Sequence, residues 1–314
     1  MSAGAAALAR DDPAVPGVAI RRSEPMSRHT SMRVGGPAEL FCEVESAGAL
    51  AASLRWAKAQ SLPVFVLGGG TNLVVADAGI PGLTVKLGRS FSRTRWDDSA
   101  GGARVVVGGA ANFKRLALDA IARGFAGLEF AEGIPGTVGG GLLMNAGAFG
   151  GEISQVVEAI AGVTRSGDEV RLAREELAFA YRRLDLPLGF VVTSVEIRLA
   201  RGDRDAIDRR AADAKRKRGR GQPLGLPNAG SIFKNPPGDF AGRLIEIVGL
   251  KGARAGGAEI SPQHANFIVN VGGARAADVR ALMRLVQETV WRRRGVWLQP
   301  EVKLVGDWEA AEAR

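Results

Sequence analysis

Two glycine-dense stretches constrain this chain more than any other feature of its sequence. Gly68-Gly69-Gly70-Thr71-Asn72 follows directly on the apolar run VFVL. Gly133-Ile134-Pro135-Gly136-Thr137-Val138-Gly139-Gly140-Gly141 is followed by Asn145-Ala146-Gly147-Ala148-Phe149-Gly150. Backbone free of side chains can turn its amide N–H groups inward onto a phosphate, and can lie flat against a planar ring where bulky residues could not. A plain strand connection would account for the first stretch alone, and close helix packing for the second. Two such stretches in one chain favour a large, flat, phosphorylated cofactor. The 43 glycines keep no three-residue period and gather at the ends of apolar runs, so they are neither collagen-like nor a linker.

The elements around these stretches read as α+β. Leu40, Cys42 and Val44 alternate with Glu39 and Glu43 as in a half-buried strand, Ser46 caps a helix over AGALAASLRWAKAQ, and PVFVLGGGTNLVV gives strand, turn and strand. A second unit opens with the strand RVVVGG and a helix whose Phe113, Leu116, Ala117 and Ile121 recur at helical spacing. The runs VVEAIAGVT and DEVRL flank a hairpin turn at Arg165-Ser166-Gly167, and GFVVTSVEIRL is a further strand. A basic helix over 203–218 leads into GRGQPLGLPNAG, taken as a boundary. Beyond it come a helix at AGRLIEIVG, a strand HANFIVNV, a long helix DVRALMRLVQETVWRRRG and a final strand WLQPEVKLVG. The expected division is a flexible tail over 1–20 and units over 21–88, 89–218 and 219–314.

Composition excludes several chemistries. At 314 residues, 46% hydrophobic, the chain can bury a substantial core. One cysteine, Cys42, and two histidines, His29 and His264, supply neither a disulfide, nor a zinc constellation, nor a Cys/His nucleophile pair, so no metal is expected. Neither GxxxxGK[ST] nor GxGxxG occurs, which argues against a P-loop or a conventional Rossmann site. The N-terminal Ala-rich piece is too short for a secretory signal, and no apolar run approaches the roughly 18 residues of a spanning helix, so no membrane insertion is expected. With the lone cysteine this fits the cytoplasm. The net charge of +9 would suit nucleic acid, anionic lipid or a polyphosphate-bearing small molecule. The run Lys215-Arg216-Lys217-Arg218-Gly219-Arg220 has few interleaved aromatics and reads as a solvated helix face rather than a nucleic-acid reader.

A third segment, Asn228-Ala229-Gly230-Ser231-Ile232-Phe233-Lys234-Asn235-Pro236, puts a hydroxyl in a glycine-supported turn beside Lys234 and Asn235. Alone it would be a local hydrogen-bonding turn. With GGGTNLVV, GIPGTVGG, NAGAFGGE, the pair Tyr181-Arg182, HANFIVN and QPEVKLVG, all in order from about Thr30 to Gly306, the chain resembles the UDP-N-acetylenolpyruvoylglucosamine reductases, the MurB family. The glycine strings are shared in kind with FAD-linked oxidases of the vanillyl-alcohol oxidase (PCMH) type. NAGSIFKNP and the C-terminal PEV resemble the reductase.

The resemblance implies a two-part FAD-binding region followed by a C-terminal α+β substrate domain, with tightly bound, non-covalent FAD and NADPH as hydride donor. The substrate would be UDP-N-acetylglucosamine enolpyruvate, reduced to UDP-N-acetylmuramate. FAD would be held by Gly68, Gly69, Gly70, Thr71, Asn72, Gly133, Ile134, Pro135, Gly136, Thr137, Gly140, Asn145, Ala146 and Gly147. By motif position Ser231 is the expected proton donor, and Arg182 with Glu301 the pair that stabilises the intermediate. Tyr181, Lys217 and Asn235 are expected substrate contacts, and the chain is expected to be monomeric. Arg182 could instead be a surface cation beside Arg183, and Glu301 an exposed residue of the last strand. Arg183-Leu184 departs from the family, which often has Ser or Thr two positions after the Arg. The short spacing to Ser231 matches the subclass without an extra tyrosine-bearing loop. An oxidase of an alcohol or hydroxy acid is the alternative.

Overall fold

The computed structural model describes residues 15–223 and 225–309. Most of the expected tail lies outside them; Val15 and Val18 already form a β-bridge and a strand begins at Ile20. The first sheet has the strand order 20–25, 37–44, 80–87, 64–67, antiparallel at its first pair and parallel at the other two. Helix α1 (Ala47–Ala59) starts where Ser46 Oγ accepts from Ala49 N at 3.1 Å. It lays Leu50, Leu54 and Ala57 on Leu40, Cys42, Leu83 and Val85. Cys42 is fully buried there, and burial pushes its thiol up to about 11, as befits a small core residue.

The second sheet runs 169–173, 157–163, 191–201, 102–108, 94–99, all antiparallel, with Phe125–Ala126 also on strand 191–201. The hairpin turn expected at 165–167 joins the first two, and Gly167 takes the left-handed φ of +88°. Helix α2 (Phe113–Ala122), capped by Asn112, buries Phe113, Leu116, Ala117 and Ala120 against Val105, Val107, Val195 and Ile197. The short helix α3 (Val138–Leu143) forms from the glycines 139–141 because Thr137 caps it and tertiary contacts hold it; Val138 N bonds Ala111 O and Gly139 N bonds Gly109 O. Propensity disfavours such a helix, and none was expected there. The basic helix α4 (Arg204–Gly221), capped by Asp203, is tied to this unit by Arg210 on the buried Glu129 at 2.6 Å.

The third region has strands 254–255, 258–260 and 268–270, antiparallel, with α5 (Ala241–Ile247) and α6 (Ala276–Arg294). The α6 residues Val279, Leu282, Met283, Val286 and Val290 are buried at 3–4-residue spacing, each contributing about 1.5–3 kcal/mol relative to exposure. Gly295 closes α6 in the left-handed region. Two expected strands are shorter than the apolar runs suggested. Only Ile268–Asn270 of HANFIVNV is strand, because Ser261, His264 and Asn266 take the preceding residues into a hydrogen-bonded turn. Of WLQPEVKLVG only Lys303–Val305 is strand.

That last strand leaves the third region and pairs in parallel with Leu73–Val75, immediately after the first glycine stretch. Ala76 N bonds Val305 O and Asp307 N bonds Gly79 O, prolonging the seam. Asp77 crosses it as well, its two carboxylate oxygens each accepting at 3.0 Å from Ala276 N and Ala277 N at the start of α6. An acceptor at the positive end of a long helix satisfies orphan amides and favours the dipole. Asp77→Ala should lower unfolding stability by about 1 kcal/mol, read from the urea midpoint, and Asp77→Asn by less. An unchanged midpoint would remove Asp77 as a cap.

Candidate active site

The two glycine stretches are one structure. A methyl at Gly69 would lie 2.6 Å from Gly136 Cα, one at Gly68 would lie 2.9 Å from Thr137 Oγ1, and one at Gly136 (φ +105°) would lie 2.8 Å from Thr71 Oγ1. Gly70, at φ +64°, turns its missing side chain onto the carbonyl of His29. Backbone therefore packs on backbone between the first and second units, and a cavity of about 480 Å³ opens beside the contact. Of the expected cofactor residues, Gly68, Gly69, Thr137 and Gly140 line it, together with Arg28, Lys86, Gly109 and Val192. Gly70, Thr71, Asn72, Gly133, Ile134, Pro135, Gly136, Asn145, Ala146 and Gly147 stand outside the lining. Ile134 and Ala146 pack on the second core, for example, and Thr71 Oγ1 donates to Pro135 O at 3.4 Å.

Asn145 is 2% exposed and sits in the left-handed region at φ +39°. Its Nδ2 donates to Glu152 and to Ala180 O, and its Oδ1 accepts from Ser154 N. The bond to Ala180 fixes the hairpin of strands 178–180 and 183–185, which has Tyr181-Arg182 at its tip. Leu184 is buried in the second core, which accounts for an apolar residue at the position where the family often has a hydroxyl. Arg183 is exposed and pairs with Asp185, whereas Arg182 turns in. Arg182 has φ +58°, a conformation that costs a non-glycine residue roughly 1–3 kcal/mol unless its surroundings hold it. They do: Nε donates to Glu301 Oε1 at 2.8 Å, Nη2 donates to Gly147 O at 3.0 Å, and the guanidinium lies 5.0 Å from the Tyr181 ring centre.

Neither side chain of the Arg182–Glu301 pair is more than a fifth exposed, so both bland readings of these residues fail. Glu301 is placed by its own backbone: its N donates to Ile232 O at 2.8 Å, and its carbonyl accepts from Asn72 Nδ2 at 3.2 Å. Burial pushes the Glu301 carboxyl above the ordinary carboxylate range, while Arg182 and, more weakly, Lys234 pull it down. The bond to Ile232 also sets Glu301 beside the chain of Ser231. Ser231 and Asn235 line a second cavity of about 390 Å³, with His264, Phe240 and Arg243. Arg182 and Glu301 are not among its lining residues. Burial pulls the His264 imidazole below its ordinary range, and its Nδ1 accepts from Asn266 N.

Lys217 is exposed, its ammonium 5.6 Å from the Phe149 ring centre. Its neighbour Arg218 reaches further in, donating through Nε to Glu132 O at 3.3 Å beside Gly133, and burial lowers the pKa of its guanidinium. Sequence reasoning read His264 and Asn266 as residues that approach the substrate or merely cap a strand, and gave Ser31 and Lys86 no role of their own. Ser31 Oγ donates to Asn228 O at 2.6 Å while Ser31 N bonds Gly70 O, so one serine ties the first glycine stretch to the Ser231 segment. Nothing in its local sequence signals that.

The FAD binding domain family matches residues 38–173, and the family described as UDP-N-acetylenolpyruvoylglucosamine reductase, C-terminal domain, matches residues 222–305. Fold and cavity thus define an FAD-binding α+β protein with a separate C-terminal region. A UDP-N-acetylenolpyruvoylglucosamine reductase of Symbiobacterium thermophilum is 49% identical over 91% of this chain and 92% of its own length, and one of Myxococcus xanthus 43% identical over 96% and 97%. The crystal structure of the Thermus caldophilus enzyme is 39% identical and superposes with a TM-score of 0.78 over 92% of this chain and 98% of that one. The chain belongs to the UDP-N-acetylenolpyruvoylglucosamine reductase family.

Two outcomes follow from this geometry. Gly69→Ala should force the glycine stretches apart and lower the flavin retained on purification several-fold, with helix content by circular dichroism unchanged; full retention would refute the close packing. Arg182→Met removes the strongest opposition to burial at Glu301, so the Glu301 carboxyl should titrate at higher pH than in the wild type. The carboxylate infrared band, assigned with Glu301→Gln, reads this, and a downward move would contradict the pairing.

Proposed function

We infer that this protein reduces UDP-N-acetylglucosamine enolpyruvate to UDP-N-acetylmuramate with NADPH and bound FAD, in peptidoglycan precursor synthesis. The observation that carries the reading is the part-buried Arg182–Glu301 pair, held beside the Ser231 segment by the Glu301–Ile232 backbone bond. FAD fits the cavity because both of its walls include side-chain-free backbone, Gly68 and Gly69 from one unit and Gly139 and Gly140 from the other. Those residues, with the expected segments behind them, would hold it. When bound, FAD would supply the redox chemistry, hydride transfer between NADPH and the enolpyruvyl double bond.

The chain's own residues handle the charge and the proton. Hydride arriving at the terminal enol-ether carbon leaves negative charge on the carbon that bears the carboxylate. Arg182 opposes that charge, and Glu301 keeps the guanidinium in place despite its strained backbone. Ser231 Oγ–H gives its proton to the carbanion-like carbon, which is basic enough to take it from a hydroxyl. Asn235 uses its Oδ1 on Ala241 N, leaving its NH2 group for the sugar nucleotide in the second cavity. Tyr181 and Lys217 are further contacts for that substrate, and the basic α4 surface suits its diphosphate. Among the described residues no helix is long and apolar enough to cross a membrane, and a cytoplasmic monomer belongs to the same proposed reading.

The test is the visible spectrum of the purified protein without oxygen. NADPH should bleach the flavin, and UDP-N-acetylglucosamine enolpyruvate should restore it; recovery with oxygen alone would favour an oxidase of an alcohol or hydroxy acid instead. Ser231→Ala should bleach normally and lose most of the recovery, on the order of 100-fold in rate. Unchanged recovery would take Ser231 out of the proton-donor role.

A further inference from the structure

The Ser231 segment is held on two edges by different means. On one, Glu301 N bonds Ile232 O at 2.8 Å and Lys234 N bonds Gln299 O at 2.9 Å, which makes an isolated antiparallel β-bridge between Phe233 and Pro300. On the other edge, one side chain takes the place of a neighbouring strand. Asn266 Oδ1 accepts from Phe233 N at 2.9 Å and its Nδ2 donates to Phe233 O at 2.8 Å, while its own carbonyl accepts from Ile232 N at 2.9 Å. Asn266 is 4% exposed, and its own N–H is used on His264 Nδ1.

A carboxamide is the short side chain that carries both a donor and an acceptor in the geometry of a peptide group, so it can pair with a residue's N–H and C=O at once. Aspartate could accept but not donate, and would bring a charge into a buried site. We propose that Asn266 is a positioning residue for the reduction of the sugar nucleotide, setting the register of residues 231–233 and so the place from which Ser231 delivers its proton. This rests on the function proposed above for Ser231. Asn266 is among the residues that line the second cavity, yet it does not act on the substrate itself, because its carboxamide is engaged on Phe233 on both sides. Nor does it line the cavity assigned to FAD, so its effect belongs to one half-reaction only.

The experiment uses the flavin-loaded enzyme carrying Asn266→Asp or Asn266→Ser, each alone and in a Ser231→Ala background, with the two half-reactions measured separately by stopped flow. Flavin content and bleaching by NADPH should stay within about twofold of wild type, while the limiting rate of reoxidation by UDP-N-acetylglucosamine enolpyruvate falls about tenfold or more with little change in the half-saturating concentration. In the Ser231→Ala background the same substitution should add almost nothing, since the group it positions is gone. The serine variant supplies the answer should the aspartate variant lose its flavin. Reoxidation within about twofold of wild type in the flavin-loaded variants, an equal loss in the Ser231→Ala background, or bleaching slowed in proportion would each overturn the proposal. If Ser231→Ala alone reoxidises normally, the proton-donor role of Ser231 fails; if it is slow while the Asn266 variants are not, only the positioning role fails.

Discussion

The contact of backbone on backbone between Gly69 and Gly136 is the constraint on which the rest of this structure depends. Loops of two sheets of different topology have to meet with no room for a methyl group, and the cavity opens beside that contact. Any side chain there would fill the contact and part the walls. The glycines lower the stability of the isolated segments, since each loses more backbone freedom on ordering than another residue would. The surrounding bonds offset this: Val138 to Ala111, Gly139 to Gly109, Ser31 to Gly70.

From that contact the structure passes outward to the chemistry through polar side chains that act on backbone. Asn72, at the end of the first stretch, holds the carbonyl of Glu301 and accepts from Lys303, so the C-terminal strand is threaded onto the first unit just where the catalytic carboxylate is proposed. Asn145, at the end of the second stretch, holds the hairpin that carries Arg182. The two asparagines thus deliver the partners of one ion pair from opposite directions. The pair is largely shielded from solvent, so removing either partner would leave the other charge poorly compensated. Lys234 adds a weaker pull on Glu301 from the Ser231 segment itself.

Much of this was legible before any coordinates. The glycine stretches announced close backbone approach, Ser46 caps the helix it was expected to cap, and the helices expected to begin at Asn112 and Asp203 start one residue later, capped by those residues. The strands 37–44, 102–108, 157–163 and 191–201 follow the apolar patterns of their sequences. The failures share a cause. HANF reads as strand by its apolar alternation, but a buried carboxamide and an imidazole compete with the ladder and win. Helix α3 runs against propensity and is imposed by packing.

The sequence by itself determined the class of protein, because residue types with few substitutes carry it: glycines that admit no side chain, a serine, arginine and glutamate in ordered motifs, and too few cysteines and histidines for other chemistry. It also determined which residues were candidates. Beyond the Arg182–Glu301 pair, which the family resemblance implied, only the tertiary structure decided which residues meet and through which atoms. Arg182 and Glu301 are 119 positions apart, Ser31 and Asn228 197, and Asn72 and Glu301 229. Local sequence has no access to such pairings, because they are set by where whole sheets dock, and docking is decided by the complementarity of entire surfaces rather than by any one residue's propensity.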